Sequence, residues 1–243
     1  MVRRGIVAGV AMVMVLVAAL AGPAAAQSTQ PRTYEGRLSP MNDSGVTADA
    51  RLTVEADGQL TVMIDPEGLA EGLPHAQHIH GVFGDQSVCP PQDADTDVDR
   101  YVSHAEGVPF YGNILQSLTT TGDTGAESGL AVDRFPTGND VYQRTFPVAE
   151  GLADNLGLFH IVLHGVDLNG SGMYDGDKPS ELDPSLTFEA TVPAACGTLA
   201  LIPTGGVATG AGDTAGTGAP VAAALAVLAG GGVLLALRRR GAA

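Results

Sequence analysis

Apolar and polar residues alternate with a period of two through much of the middle of the chain. Residues 51–55 and 60–64 alternate in this way on either side of Asp57-Gly58. An Asp-Gly pair between two alternating segments predicts a β-hairpin, because this pair suits a tight turn between antiparallel strands.

The same alternation predicts further strands along the chain. They cover residues 76–80, 114–119, 130–135, 142–148, 158–164, 186–192 and 198–202. Clusters of Gly, Pro and Asp separate them, and no pattern of ordinary helical length occurs outside the two ends. We therefore predict an all-β domain over residues 27–202, built as an antiparallel sandwich or flattened barrel.

The first residues have the order of charge, apolarity and size that is typical of a secretory signal peptide. Arg3 and Arg4 precede an apolar stretch over residues 5–22, and Ala24-Ala25-Ala26 offers a cleavage site of small residues. We predict that residues 1–26 are removed and that the protein is exported. The alternative is a retained transmembrane anchor.

A second apolar segment lies near the C-terminus. Residues 219–237 are 19 residues without a charge, which is about 28 Å of helix, enough to cross a bilayer. Three arginines follow at once, so residues 238–243 are predicted to stay cytoplasmic and the domain to lie outside. Residues 203–218 are predicted to form a flexible stalk. A buried helix rich in Ala and Gly is the alternative.

The C-terminal end also resembles a sortase sorting signal, which would imply attachment to a cell wall. Residues 201–205 read Leu-Ile-Pro-Thr-Gly and so depart from the Leu-Pro-x-Thr-Gly pattern. We therefore expect a single-pass membrane anchor, with wall attachment as the alternative.

The charge of the exported part is strongly negative. Five of the 12 basic residues and none of the 27 acidic residues lie in the two end segments. Seven basic and 27 acidic residues remain, a formal charge of −20. Such a surface repels nucleic acid and anionic lipid, and it suits calcium or a saline exterior. The expected partner is an extracellular ligand or protein. With only two cysteines, Cys89 and Cys196, an exported chain is predicted to form one disulfide.

Four of the six histidines lie in two predicted strands. His78 and His80 are two residues apart and so share one strand face, and His160 and His164 share a face of the other strand. If the strands are neighbours, up to four imidazoles converge, which suits copper or zinc. The alternative is histidines that form hydrogen bonds with each other at the surface.

Several segments resemble Cu/Zn superoxide dismutases. They are His78-Ile79-His80, Gly84-Asp85, Cys89, Val162-Leu163-His164 and Ala195-Cys196-Gly197. The resemblance implies an eight-stranded Greek-key barrel, a Cys89–Cys196 bond, and copper ligands at His78, His80 and His164. The bridging-histidine motif of that family is absent, with His104 as its only candidate, and Pro193 stands at the place of the arginine that attracts superoxide. We therefore expect a poor dismutase.

A closer resemblance is to bacterial CHRD-domain proteins, which share this architecture. It is carried by residues 76–81, 117–124, 130–136 and 182–184, and it covers residues 33–202. It implies a fold but no established chemistry. The predicted function is a non-catalytic binding or adhesion ectodomain tethered at the cell surface. The alternative is a copper-dependent dismutase or a copper-binding protein.

Two acidic loops have the spacing of calcium ligands. In the first loop, residues 95–106, oxygen ligands fall at positions 1, 3, 5, 7, 9 and 12 of an EF-hand register. These are Asp95, Asp97, Asp99, the Tyr101 carbonyl, Ser103 and Glu106. Arg100 replaces the usual glycine at position 6.

The second loop begins at Asp167 and has glycine at position 6. Its candidate ligands are Asp167, Asn169, Ser171 and Asp175. Position 12 is Lys178, so the final bidentate ligand is Asp177, Glu181 or absent. A tight Asx-Gly turn is the alternative.

Overall fold

Residues 30–203 are described by a computed structural model, and this part of the chain contains nine β-strands. They are β1 (Arg32–Pro40), β2 (Thr47–Val54), β3 (Gln59–Glu67), β4 (Gln77–Gly81), β5 (Asn113–Ser117), β6 (Tyr142–Pro147), β7 (His160–His164), β8 (Pro193–Thr198) and β9 (Ala200–Ile202). Helices are few and short: α1 (His104–Tyr111), α2 (Leu152–Asn155) and α3 (Phe188–Thr191). The prediction of a mostly β domain is confirmed.

All strand pairs are antiparallel, and they join into one curled sheet. The order is β5-β4-β7-β8-β1-β2-β3-β6, with β9 also paired to β1. Strand β1 turns the sheet, because its first half pairs with β9 and its last residues, Ser39 and Pro40, pair with β8. The result is an antiparallel half-barrel.

The predicted hairpin is confirmed. Strands β2 and β3 pair along their whole lengths, with Val54 opposite Leu60. The turn is closed by hydrogen bonds between Glu55 and Gln59 and between Gly58 and Glu55. Gly58 has φ = 82°, a left-handed conformation that glycine adopts without steric cost.

The sheet separates two hydrophobic clusters. The larger lies inside the curl and contains the inward residues of β2, β3 and β7, including Ile161 and Leu163. The smaller lies on the other face of β7 and β8, and its members are Met41, Ala94, Val102, Tyr111, Val162 and Cys196. Strands β4 and β7 are therefore buried on both faces. Their histidines lie on the face that carries the smaller cluster.

Two predicted strands are wrong. Residues 130–135 contain a 3₁₀ turn, Val132–Arg134, because Ala131 and Arg134 bond locally to Ser128 and Ala131 instead of joining a sheet. Residues 186–192 contain the short helix α3 (Phe188–Thr191) and no strand. There Phe188 and Glu189 are both buried although they are consecutive, which a strand with one exposed face would not allow.

The strand predicted over residues 198–202 corresponds to β9 and includes only the last residue of β8. The rest of β8 is not predicted from the sequence. Its sequence, Pro-Ala-Ala-Cys-Gly-Thr, has little strand propensity and is buried on both faces, so it shows no alternation. The predicted disulfide is confirmed: β8 carries Cys196, which is bonded to Cys89.

The end segments lie outside the described residues. The predicted signal peptide (1–26), nearly all of the predicted stalk (203–218), the predicted transmembrane helix (219–237) and the basic tail (238–243) therefore stay predictions. Within residues 30–203, no helix is both long and apolar enough to span a membrane.

Candidate metal centre

Three of the four predicted histidine ligands lie together. Strands β4 and β7 are neighbours, with His78 opposite Val162 and His80 opposite His160. One nitrogen from each of His78, His80 and His164 lies within 4.8 Å of the other two. With metal–nitrogen bonds of about 2.0 Å, the ligand atoms of a tetrahedral site are about 3.3 Å apart. Small rotations of these side chains would therefore suffice to bind one ion.

The inward nitrogens of this trio are buried without a partner. His78, His80 and His164 are 3%, 0% and 2% exposed. Nδ1 of His78 and Nε2 of His80 and His164 have no hydrogen-bond partner among the described residues. A buried polar atom without a partner costs about 1–3 kcal/mol, so such atoms are rare unless a ligand satisfies them.

The outer nitrogen of each ring faces a backbone carbonyl. The three contacts are His78 Nε2 to Gly129 O (3.0 Å), His80 Nδ1 to Gly112 O (3.1 Å) and His164 Nδ1 to Thr191 O (2.8 Å). A carbonyl only accepts, so each outer nitrogen of a neutral ring must carry the proton. The inward nitrogen then keeps its lone pair, and the ring is oriented as in metal sites whose histidines bond to a second layer of acceptors.

Electrostatics keep the trio neutral. Burial lowers the pKa of His78 and His80 well below its usual value, and repulsion from His164 lowers both further. Burial, together with the neighbouring His104, lowers the pKa of His164 to about 3. All three rings are therefore deprotonated at neutral pH, the form that binds a metal.

A fourth histidine lies just outside the trio. His104 is the first residue of α1, and its ring centroid is 5.6 Å from those of both His80 and His164. Its Nδ1 is buried, and no atom of the described residues forms a hydrogen bond with it. Burial lowers the pKa of His104. It is a candidate for a fourth ligand.

His160, also predicted as a ligand, is not part of the trio. It is fully buried, and its Nδ1 lies 2.9 Å from Ser87 Oγ. That hydroxyl donates to Leu158 O, so Nδ1 of His160 is the donor in the contact with Ser87. Burial lowers the pKa of His160 to about 4.

Two aromatic rings that the sequence did not single out line the centre. Phe135 packs edge-on against His78, with ring centroids 5.4 Å apart. Tyr111 packs against His80 at 4.5 Å, and its hydroxyl donates to His104 O. The sequence marked the Phe135 segment as a predicted strand and as part of the CHRD resemblance, but not as the lining of a metal site. These rings surround the nitrogens with apolar surface.

The first acidic loop gathers its carboxylates as its spacing predicted. Asp95, Asp97 and Asp99 place one oxygen each within 4.8 Å of the others. Asp95 accepts from the N–H groups of Val98, Asp99 and Arg100, Asp97 from that of Asp99, and Asp99 from that of Tyr101. Arg100 has φ = 86°, so position 6 keeps the left-handed conformation without glycine.

The last two predicted ligands of this loop, Ser103 and Glu106, form a helix cap. Ser103 Oγ accepts from the N–H of Glu106, and Glu106 Oε2 accepts from that of Ser103, the reciprocal capping box that begins α1. Oε1 of Glu106 accepts from Thr96 and Asp97. The Ser-x-x-Glu pattern is a known signal of a helix start, and it could have revealed α1.

The second loop repeats the turn geometry of the first. Asp167 accepts from the N–H groups of residues 170, 171 and 172, and Asn169 from that of Ser171. Asp175 accepts from Asn169 Nδ2 and Ser171 Oγ. Glu181, one candidate for the final ligand, instead accepts from the N–H of Ala105 in α1.

Lys178 joins the two loops. Its ammonium forms ion pairs with Asp99 and, at 3.7 Å, with Asp97. It also lies over the Phe188 ring, 4.0 Å from the centroid. A cation supplied by the protein therefore already neutralises part of the first loop.

No protein-family model matches this chain, and the search of curated proteins found no match either.

Proposed function

We propose that this protein binds copper or zinc in a buried centre formed by His78, His80 and His164. The observation that carries the proposal is that the three rings bring one nitrogen each close together, and that each ring has one buried nitrogen with no hydrogen-bond partner among residues 30–203. A bound ion would satisfy all three at once. Without one, each nitrogen costs about 1–3 kcal/mol.

Copper is the favoured metal. Neutral imidazoles suit both ions, and Cu²⁺ generally binds such ligands more tightly than Zn²⁺ does. The trio contains no carboxylate, which a hard cation such as calcium would require. The carbonyls that bond to the outer nitrogens fix the rings with their lone pairs directed inward, and this reduces the cost of binding.

We infer a binding role for this centre in preference to catalysis. The ligands are at most 3% exposed, so a substrate has little access to an ion between them. The register partner of His164 is Pro193, so the position from which an arginine would attract superoxide carries no charge. The formal charge of −20 on the predicted exported part also opposes an anionic substrate.

The wider proposal is an exported ectodomain of the CHRD type, tethered at the cell surface. Its fold would be the Greek-key barrel of Cu/Zn superoxide dismutases. The antiparallel half-barrel and the Cys89–Cys196 bond support this proposal. The disulfide is compatible with an oxidising exterior. Its partner there would be an extracellular ligand or protein. A copper-dependent dismutase stays the second candidate, because the trio lies on neighbouring strands of such a sheet.

Calcium is proposed as a second, structural ligand of the acidic loops. The convergence of Asp95, Asp97 and Asp99 supports this at the first loop. The second loop shares its turn geometry. Calcium would have to displace the Lys178 ammonium from Asp97 and Asp99. We therefore expect the first loop to bind calcium much more weakly than it would without this lysine.

Metal analysis tests the proposed centre. The protein, expressed into an oxidising compartment and dialysed against Cu²⁺, should retain about one copper per chain and show little dismutation, and His80→Ala should retain none. Copper below a tenth of an equivalent in the folded wild-type protein would contradict the proposal. Rapid dismutation that His80→Ala abolishes would favour the enzyme instead.

A further inference from the structure

We propose that Glu106 is a positioning residue that places His104 as the fourth ligand of the histidine centre. The proposal rests on the proposed metal site and adds how its coordination is completed. Two features of α1 support it: its first residue faces the trio, and its N-terminus is fastened to the acidic loop by one carboxylate.

His104 has the chemistry of a ligand but lies slightly too far out. Its Nδ1 is buried and has no hydrogen-bond partner in the part of the chain that the structure describes. Its ring is 5.6 Å from the rings of both His80 and His164, yet its nitrogens do not belong to the group that lies within 4.8 Å. A small inward shift of the start of α1 would therefore change three imidazoles into four.

Glu106 makes the contacts that hold the start of α1. Its Oε2 accepts from Ser103 N at 2.9 Å, and its Oε1 accepts from Thr96 N and Thr96 Oγ1, each at 2.6 Å, and from Asp97 N at 3.2 Å. Four donors on one carboxylate join residues 96–97 of the acidic loop to the residue immediately before His104. The other acid at this helix start, Glu181, makes one such contact, with Ala105 N.

The far end of α1 is tied to the trio as well. Gly112 follows the helix directly, and its carbonyl lies 3.1 Å from His80 Nδ1. The Tyr111 hydroxyl closes the helix on itself by donating to His104 O at 3.0 Å. Because α1 has only eight residues, its start can make only a small shift while its end is fixed. The Glu106 contacts therefore set how far His104 reaches.

The test is a double-mutant cycle on the full chain, with Cu²⁺ alone as the probe in calcium-free buffer. His104→Gln and Glu106→Gln should each weaken copper binding about 10–100-fold, as loss of a positioning group around a metal site typically does. Their Cu²⁺ electron paramagnetic resonance spectra should show the same loss of one nitrogen. In the His104→Gln background, Glu106→Gln should have no further effect, because it acts through that ring. Glu67→Gln, an exposed acid on β3, is the control.

Two results would overturn the inference while leaving the metal site in place. One is a Glu106→Gln variant that binds copper within twofold of the wild-type affinity and has an unchanged spectrum. The other is an effect of Glu106→Gln that persists in the His104→Gln background. A wild-type protein that binds no copper would overturn the inference together with the proposed function. If Glu106→Gln does not fold, Thr96→Val, which removes the hydroxyl contact, takes its place in the cycle.

Discussion

Apart from His104, the histidines in the described part of this molecule have three distinct environments. His75 bonds through both ring nitrogens, to His164 O and Ala70 O, and has a structural role. His160 donates to Ser87 and lies outside the trio. Among the described histidines, only those of the trio lie close together, are buried, and each have one ring nitrogen bonded to a backbone carbonyl so that the lone pair of the other nitrogen points inward. Residue type and spacing alone do not distinguish these cases, because Nε2 of His160 is also buried without a partner among the described residues, and only its position keeps it out of the group formed by the trio.

Burial of neutral histidines predicts acid sensitivity of the metal-free protein. The pKa of His160 is lowered to about 4 in the folded state, so between pH 6.5 and 4 the unfolded chain binds a proton that the folded chain does not. The free energy of unfolding should therefore fall as the pH falls through this window, by at most about 1.4 kcal/mol per pH unit for this residue. Above pH 6.5 the contribution is constant.

Urea unfolding of the wild-type protein and of His160→Gln across this window checks the prediction. The variant should lose stability less steeply on acidification. Equal slopes for the two proteins would show that His160 titrates alike in the folded and unfolded states.

At the scale of elements, short-range patterns were predictive where one face of a strand is buried and the other exposed. The β2–β3 hairpin follows from alternation and one Asp-Gly turn. Alternation did not predict β8, because this strand is buried on both faces. It wrongly predicted a strand over residues 130–135, where local 3₁₀ hydrogen bonds take the place of hydrogen bonds to a neighbouring strand. The histidine spacing correctly indicated a shared face, but which of four rings converge depends on the register of β4 against β7. The start of α1 was hidden because Ser103 and Glu106 also fitted a calcium register.

The acidic loops carry a prediction about competition between cations. Lys178→Met removes the ammonium that pairs with Asp97 and Asp99 but keeps an apolar side chain against Phe188. Calcium should therefore raise the melting temperature more in this variant than in the wild-type protein. Binding to the folded state adds RT ln(1 + [L]/Kd), about 2.7 kcal/mol at a hundredfold excess over Kd.

Asp97→Asn, which keeps an acceptor for the turn but loses a charge, should reduce the rise. Thermal melts in chelator and in millimolar calcium measure both effects. If calcium changes the melting curve of neither the wild-type protein nor Lys178→Met, the proposal that the acidic loops bind calcium is wrong.

For the whole molecule, one covalent bond connects the segment after the histidine strand to the middle of the sheet. Cys89 follows β4, and Cys196 lies on β8, opposite Val162 of β7 on one side and Ser39 of β1 on the other. The bond packs in the smaller hydrophobic cluster with Tyr111 and Val162. It therefore anchors, next to the histidines, a part of the chain that contains little regular structure.

Reduction should destabilise the protein strongly. The bond joins residues 107 apart in sequence, and a loop of this size corresponds to about 4–5 kcal/mol of chain entropy. The urea midpoint should fall on reduction, while a Cys89→Ser/Cys196→Ser variant should not respond to reductant. Identical midpoints for oxidised and reduced wild-type protein would contradict this role.

The central claim is that position, not histidine content, creates the metal centre, and a matched pair of variants tests it most directly. His164 and His160 lie on the same face of β7 and both are buried, but only His164 belongs to the trio. Copper affinity should fall at least 100-fold in His164→Gln and stay within a few-fold of wild type in His160→Gln, as measured by competition with a chelator of known affinity. Equal losses in the two variants, or no loss in His164→Gln, would contradict the account.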